Sequence, residues 1–123
     1  MDVLVKMCDC PEVQEAAPFA AGVRVWFRET GETEVYGEED VLAWTKIELG
    51  DEGCLILPRQ EDIQEIILKR WGNDHPHKLL SAFSNWCISD ETTRGTDFSI
   101  VEYWLMFFMH EVHNKRWTAE GWG

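Results

Sequence analysis

The sequence predicts an α+β fold, in which a small antiparallel sheet of three to four strands packs against a C-terminal set of three helices. A short N-terminal helical segment precedes the sheet. Three observations predict this fold. Apolar and polar residues alternate around 23–27, as in a half-buried strand. After residue 58 the apolar residues recur at helical spacing. The stretch 98–112 is so apolar that, as a helix, it needs protein on most of its sides.

The first half of the chain contains the predicted strands. Residues 2–16 carry an interrupted apolar stripe, which predicts one or two short helical turns with Pro11 opening the second. Val23, Val25 and Phe27 predict a strand with one apolar face. Thr30-Gly31 then predicts a turn into a returning strand over 33–36.

Two further strands are predicted before residue 58. The segment 41–49 alternates, with Ala43, Thr45, Ile47 and Leu49 in one phase and Trp44, Lys46 and Glu48 in the other. The residues 50–53 are typical of a turn. The apolar run 54–57 predicts the last strand, which Pro58 ends.

The second half contains the predicted helices. Acidic residues after Pro58 favour a helix start, and Gly72 is suited to follow that helix. Pro76 is suited to the first turn of the next helix, and 89–96 is predicted to be a polar loop. The predicted core face of this second helix is Leu79, Leu80, Phe83, Trp86 and Cys87.

The last predicted helix covers residues 98–113, and the capping box Ser99-x-x-Glu102 marks its start. Its apolar rows include Ile100, Trp104 and Phe107, which predicts a central, buried position. Trp117 and Trp122 follow in a tail that we expect to fold back.

Length and charge bound the class of protein. The 123 residues predict a single domain over 1–123. The chain has 23 acidic and 11 basic residues, and 13 of the acids but only 4 of the bases lie in residues 1–58. Such a chain repels phosphate backbones, so direct nucleic-acid binding is not expected. The N-terminus has no signal-peptide pattern and the apolar run 103–109 is too short for a bilayer, which predicts a cytoplasmic protein with no membrane contact.

The cysteines do not have the spacing of a structural metal site. Cys8 and Cys10 are close together, but Cys54 and Cys87 stand apart, and a zinc knuckle needs two close pairs. We expect Cys54 and Cys87 to be small buried apolar residues. No metal and no cofactor is therefore expected.

The histidines provide the alternative interpretation, a small metal-dependent enzyme or metal-binding protein. His110 and His113 are three residues apart, whereas the zinc-peptidase pattern needs histidines four apart. His75 and His77 flank a proline. Phosphate-binding loops and nucleophile elbows do not occur, so no catalytic residue is assigned.

Three stretches together resemble a family signature. They are Leu57–Glu65 (LPRQEDIQE), Pro11–Gln14 (PEVQ), and the C-terminal pattern Trp104-Leu105…His110-Glu111…Asn114-Lys115-Arg116-Trp117…Glu120-Gly121-Trp122. In this order they resemble small uncharacterised proteins from prophages and related mobile elements of Gram-positive bacteria. Thr118-Ala119 departs from the Asp-Gly expected there. That family has no known activity, so the resemblance implies a phage-borne accessory protein and no particular chemistry.

The acidic segment Glu29–Glu52 is the predicted partner-facing side, because it carries nine acids and a single base, Lys46. Like charges on neighbouring strands repel, which makes a binding role for them plausible. Both Trp26 and Trp44 fall in the phase opposite to the apolar residues and are expected on the same exposed side. The predicted partner-binding residues are Trp26, Glu34, Glu38, Glu39, Asp40 and Trp44.

The preferred functional hypothesis is a non-enzymatic acidic protein-binding factor of a phage or mobile element. Its partner is expected to be a protein with a basic surface, and its most specific form is an inhibitor of a host defence nuclease. A structural or replication accessory protein of a phage is a further alternative, and homodimer formation stays open. Arg59 and Gln60 are predicted to form a structural junction, with Arg59 pairing with Glu61, Asp62 or backbone carbonyls.

Overall fold

The computed structural model describes residues 2–72, 75–89 and 98–123, and these residues confirm the α+β class. The predicted loop 89–96 lies outside the described residues, except for Ser89. In chain order the elements are α1 Val3–Cys8, α2 Pro11–Ala16, β1 Arg24–Trp26, β2 Thr33–Val35, α3 Glu38–Ala43, α4 Lys46–Asp51, β3 Leu55–Leu57, α5 Gln60–Trp71, α6 Pro76–Ser89, α7 Ile100–His113, β4 Trp117–Thr118 and β5 Gly121–Trp122.

Backbone contacts divide the chain into two units, Met1–Arg59 and Gln60–Gly123. The first unit holds the three-stranded sheet, and the second holds the three long helices. The single domain over 1–123 and the packing of the sheet against these helices stay predictions.

The sheet of the first unit is antiparallel, with the strand order β2-β1-β3. Val25 lies opposite Glu34 on one side and Ile56 on the other, so these three side chains share one face. Val25 and Ile56 belong to a buried cluster on that face. The cluster also includes Val23, Tyr36, Leu49 and Cys54. Phe19, Phe27 and Val41 pack against its rim.

The opposite face is covered as well at β1 and β3, and this corrects one prediction. Helix α1 packs against β3, and its residues Val5 and Met7 are buried. The side chain of Trp26 is only 7% exposed, so the expected exposure of Trp26 is wrong. Alternation predicts one solvated face, but Val25 and Trp26 of β1 and all three residues of β3 are buried, so both faces are covered at these two strands. The guanidinium of Arg28 lies 5.2 Å from the centroid of the Trp26 ring.

The predicted strand over 41–49 is also wrong, because this segment forms α3 and α4. The carboxylate of Asp40 accepts a hydrogen bond from the backbone N–H of Gly37 (2.9 Å) at the start of α3. Thr45 and Glu48 form a reciprocal capping box at the start of α4, with distances of 3.1 and 3.2 Å. Of the four residues predicted to face inwards, only Leu49 is buried.

Helix α7 is central to the second unit and packs against α5 and α6. The predicted capping box is confirmed: the Ser99 hydroxyl accepts from the Glu102 N–H (3.2 Å), and the Glu102 carboxylate accepts from the Ser99 N–H (2.8 Å). All side chains from Trp104 to Met109 are buried. The Trp104 ring stacks on Phe83 with centroids 3.8 Å apart. Among the described residues, no helix is long and apolar enough to cross a membrane.

Several local predictions in the second unit can be compared with the structure. Gly72 follows α5 with a φ of +66° and Pro76 begins α6, as predicted. Leu80 and Ile100 are half-exposed, so their predicted core positions are wrong. Leu80 is one residue past the buried Leu79 and is therefore turned about 100° around the helix. The tail forms the β4–β5 hairpin, in which Trp117 lies opposite Trp122.

Candidate protein-binding site

Three apolar side chains are exposed in a short stretch of the first unit. Leu42 in α3 is 87% exposed, Ile47 in α4 is 78% exposed, and Trp44 between the helices is 40% exposed. A single exposed apolar residue is ordinary, but a group of them with polar neighbours is typical of an interaction site. We call Leu42, Trp44 and Ile47 the apolar anchor.

The local folding of α3 explains why the anchor faces outwards. Val41 packs against the buried cluster, which turns the next residue, Leu42, away from it. Glu38 and Glu39 precede Leu42 by one helical turn and lie on either side of it. Helix α3 ends where the Trp44 N–H donates to the Asp40 carbonyl oxygen (3.1 Å). The exposed leucine is therefore flanked by two carboxylates.

Two further predicted acids, Glu34 and Asp40, lie near the end of β2. Burial raises the pKa of Tyr36, and the nearby thiol of Cys54 and the carboxylates of Glu34 and Asp40 raise it further. The Asp40 carboxylate accepts a hydrogen bond from the N–H of Gly37, the residue after Tyr36, so Asp40 of α3 lies beside the backbone that follows Glu34 and the end of β2. The acids of the strand and of the helix thus belong to one neighbourhood.

Lys46 does not neutralise this acidic surface. Its ammonium donates hydrogen bonds to the backbone carbonyl oxygens of Glu15 (2.9 Å) and Ala17 (2.6 Å). Burial lowers the pKa of Lys46, and the nearby Glu15 carboxylate opposes that shift. The one base of the segment 29–52 is therefore directed into the protein, and the acids remain exposed without it.

A groove of about 640 Å³ lies beside α4. Its lining includes Gln14, Lys46, Ile47, Leu49 and Cys54, so the exposed Ile47 of the anchor is also at the groove. Burial raises the pKa of the Cys54 thiol, with smaller contributions from Glu52 and Glu29. A thiol that keeps its proton is a poor nucleophile. The groove thus presents apolar surface to a partner and offers no activated nucleophile at Cys54.

The sequence predicted some of the residues of this candidate surface. Glu34, Glu38, Glu39, Asp40 and Trp44 were predicted, and all five are exposed in the first unit. Leu42 and Ile47 were not predicted. For Ile47 the reason is that a strand over 41–49 would turn its side chain inwards. The pattern Thr45-x-x-Glu48 was the available signal, since a capping box marks the start of a helix.

The four histidines of the alternative hypothesis lie in the second unit. The rings of His75 and His77 have centroids 5.5 Å apart. Nδ1 of His110 lies 3.5 Å from a carboxylate oxygen of Glu111. In the ranges that the structure describes, no group of three or more His, Cys, Asp or Glu side chains could hold a metal ion. The four histidines are therefore not brought together as one ligand set.

The predicted junction residues lie where α5 begins. The guanidinium of Arg59 is 3.2 Å from the position that a Cβ atom at Gly22 would occupy, and Gly22 has a φ of +93°. Arg59 therefore lies close over the Gly22 turn, where a larger residue would be both strained and crowded. Gln60 is the first residue of α5.

The comparisons with known proteins do not identify a relative. The sequence matches no protein-family model, and searches among curated proteins and among solved structures found no similar protein.

Proposed function

We propose that this chain is a non-enzymatic protein-binding factor, and that its α3–α4 surface docks on a basic protein. One observation carries this proposal: the exposed anchor of Leu42, Trp44 and Ile47 lies beside carboxylates, while Lys46, the one base of the segment 29–52, donates to backbone carbonyl oxygens. Aromatic and apolar anchors supply most of the binding energy in protein interfaces, and charged rims guide association.

The chemistry of this surface restricts the partner. An acidic surface attracts a basic one, and an apolar anchor needs an apolar pocket to enter. Basic grooves that hold nucleic acid meet the first condition, so an inhibitor of a host defence nuclease is the most specific form of the proposal. The resemblance to prophage proteins supports a phage or mobile-element setting in the cytoplasm of a Gram-positive host.

The proposal can be tested with a charge reversal. The partner is captured from a Gram-positive host lysate and purified, and its affinity is measured by calorimetry. Changing both Glu38→Lys and Glu39→Lys should weaken binding by about 10-fold to 100-fold, since each lost charge contact costs about 1 kcal/mol. The salt dependence of the affinity should decrease at the same time.

A matched control keeps the net charge equal. Glu65→Lys with Glu120→Lys changes the charge by the same amount at exposed positions of the second unit. This control variant should bind within about twofold of the wild type. If the two double variants lose affinity equally, only net charge matters, and the proposed surface is wrong.

The anchor is tested separately by truncation. Trp44→Ala and Leu42→Ala should each weaken binding by about tenfold or more, whereas Leu80→Ala, a half-exposed leucine of α6, should not. Thermal unfolding of all three variants should stay close to that of the wild type, because exposed side chains contribute little to stability. Unchanged affinity for both anchor variants would remove the basis of the proposal.

A further inference from the structure

We propose that the outer edge of β2 receives an extended segment of the basic partner as an additional strand of the sheet. This inference rests on the proposed function, because it names the part of the partner that this acidic unit recognises. Strand addition of this kind obtains affinity from backbone hydrogen bonds and specificity from alternate side chains.

The direction of the backbone groups in β2 is the first argument. The Phe27 N–H donates to the Glu32 carbonyl oxygen, and the Tyr36 N–H donates to the Val23 carbonyl oxygen, both at 2.8 Å. The backbone N–H and C=O groups of residues 32, 34 and 36 therefore point towards β1. Because antiparallel strands alternate, the N–H and C=O groups of Thr33 and Val35 point outwards. Within the described ranges, no hydrogen bond to these outward groups is found.

The other edge of the same sheet is closed, which is the second argument. On β3, the Ile56 N–H donates to Oε1 of Gln14, and Nε2 of Gln14 donates to the Ile56 carbonyl oxygen, both at 2.9 Å. The same Nε2 also donates to the Cys8 carbonyl oxygen (2.8 Å). The Gln14 amide thus occupies the place of a neighbouring strand. Proteins usually protect such edges, so the open edge of β2 contrasts with the closed one.

Charge identifies the occupant of this edge. Glu34 of β2 and Glu32 just before the strand lie on one face, and the Asp40 carboxylate accepts from the N–H of Gly37 just beyond the strand. A second copy of the chain would bring its own glutamates against these acids, and like charges on neighbouring strands are destabilising. A lysine or arginine opposite Glu34 would instead be attracted. The acids therefore favour a basic strand over self-association.

The other face of β2 sets the remaining positions of the occupant. Val35 is 65% exposed and Thr33 is exposed beside it. Residues placed opposite Thr33 and Val35 would share that face, and an apolar side chain there would cover Val35. The expected occupant is thus an extended peptide in which basic and apolar residues alternate.

The test uses the blocked peptide Lys-Val-Lys-Val-Lys-Val-Lys with the full chain. Val35→Pro removes one outward N–H and leaves the pairing with β1, because proline is tolerated on an edge strand. Val35→Thr is the matched control, since it keeps that N–H. Val35→Pro should weaken peptide binding by about tenfold, whereas Val35→Thr should bind within about twofold of the wild type.

Two measurements do not depend on a protein variant. Amide hydrogen exchange at Thr33 and Val35 should slow by about tenfold or more when the peptide is bound. A peptide with N-methyl groups at its valines cannot donate along one edge and should bind weakly, as should the peptide in which glutamate replaces lysine. A peptide with the same residues in two blocks, Lys-Lys-Lys-Lys-Val-Val-Val, should also bind more weakly than the alternating one.

The outcomes separate this inference from the proposed function. If Val35→Pro binds as tightly as the wild type while the Glu38→Lys and Glu39→Lys variant loses its protein partner, strand addition is wrong and the proposed function stands. If Val35→Pro still binds the peptide and the Glu38→Lys and Glu39→Lys variant still binds its protein partner, strand addition and the proposed function are both wrong. Self-association at about neutral pH that Val35→Pro abolishes would identify a second copy as the occupant and overturn the proposed basic strand.

Discussion

At the scale of single residues, Lys46 changes the character of the surface around it. A residue count places one positive charge among nine acids, which suggests local ion pairs. In the structure the ammonium donates to two backbone carbonyl oxygens of the chain around Ala17. Composition predicted the excess of negative charge correctly, but the direction of one side chain depends on tertiary structure and could not be predicted from it.

The buried thiol of Cys54 and phenol of Tyr36 should make the first unit sensitive to alkaline pH. The pKa of Cys54 is raised above its ordinary value of 9.0 and that of Tyr36 above 10.0, mainly by burial. Each group contributes its full stability below its unfolded pKa, and loses it as the pH rises through its folded pKa. The free energy of unfolding in urea should therefore fall from about pH 9 upwards.

Cys54→Ala isolates the contribution of the thiol to this decrease in the free energy of unfolding. The variant should lose the decrease that begins near pH 9.0 and keep the one that begins near pH 10.0. Cys87→Ala, in the second unit, should leave both decreases in place. Lys46 acts in the opposite direction, since its lowered pKa makes stability rise with pH up to its ordinary value of 10.5. A pH profile that Cys54→Ala does not change would contradict the role of the thiol.

At the scale of elements, local signals predicted helix ends better than the alternation pattern predicted strands. The capping box of Ser99 and Glu102 and the positions of Gly72 and Pro76 were all correct, because each acts through nearby backbone groups. Alternation predicted β1 but failed for 41–49. Segments of about six residues are too short to separate the two periods, and the tertiary contacts of Val41 and Leu49 decide the outcome.

Helix α7 should be the element whose truncation costs most stability. Trp104→Ala or Phe107→Ala should lower the free energy of unfolding by about 3–5 kcal/mol, the usual cost of removing a buried aromatic side chain. Both residues are fully buried, and Trp104 also loses its stacking with Phe83. Ile100→Ala, at a half-exposed position of the same helix, should cost less than about 1 kcal/mol. Equal losses at Trp104 and Ile100 would contradict the central role of α7.

At the scale of the whole molecule, the charge of the chain is uneven, since 13 of the 23 acids but only 4 of the 11 bases lie in residues 1–58. The sequence predicts the acidic half and the excess of tryptophan, and the structure adds which of these residues are accessible. Trp26 is buried while Trp44 is exposed, although both fell in the same predicted phase. Sequence patterns cannot distinguish them, because the burial of Trp26 depends on the pairing of β1 with β3, where Leu55, distant in the chain, lies opposite Trp26.

The open edge of β2 also has a consequence for how the first unit assembles. Strands β1 and β2 are joined by the short connection 27–32, whereas β3 must reach β1 across residues 27–54. The Gln14–Ile56 contact spans 42 positions. Local contacts usually form first because closing a long loop costs more entropy, so we expect the β1–β2 hairpin to precede β3 in folding. A nascent chain with about 40 residues outside the ribosome would already carry the complete β2 edge, before synthesis of the strand that completes the sheet.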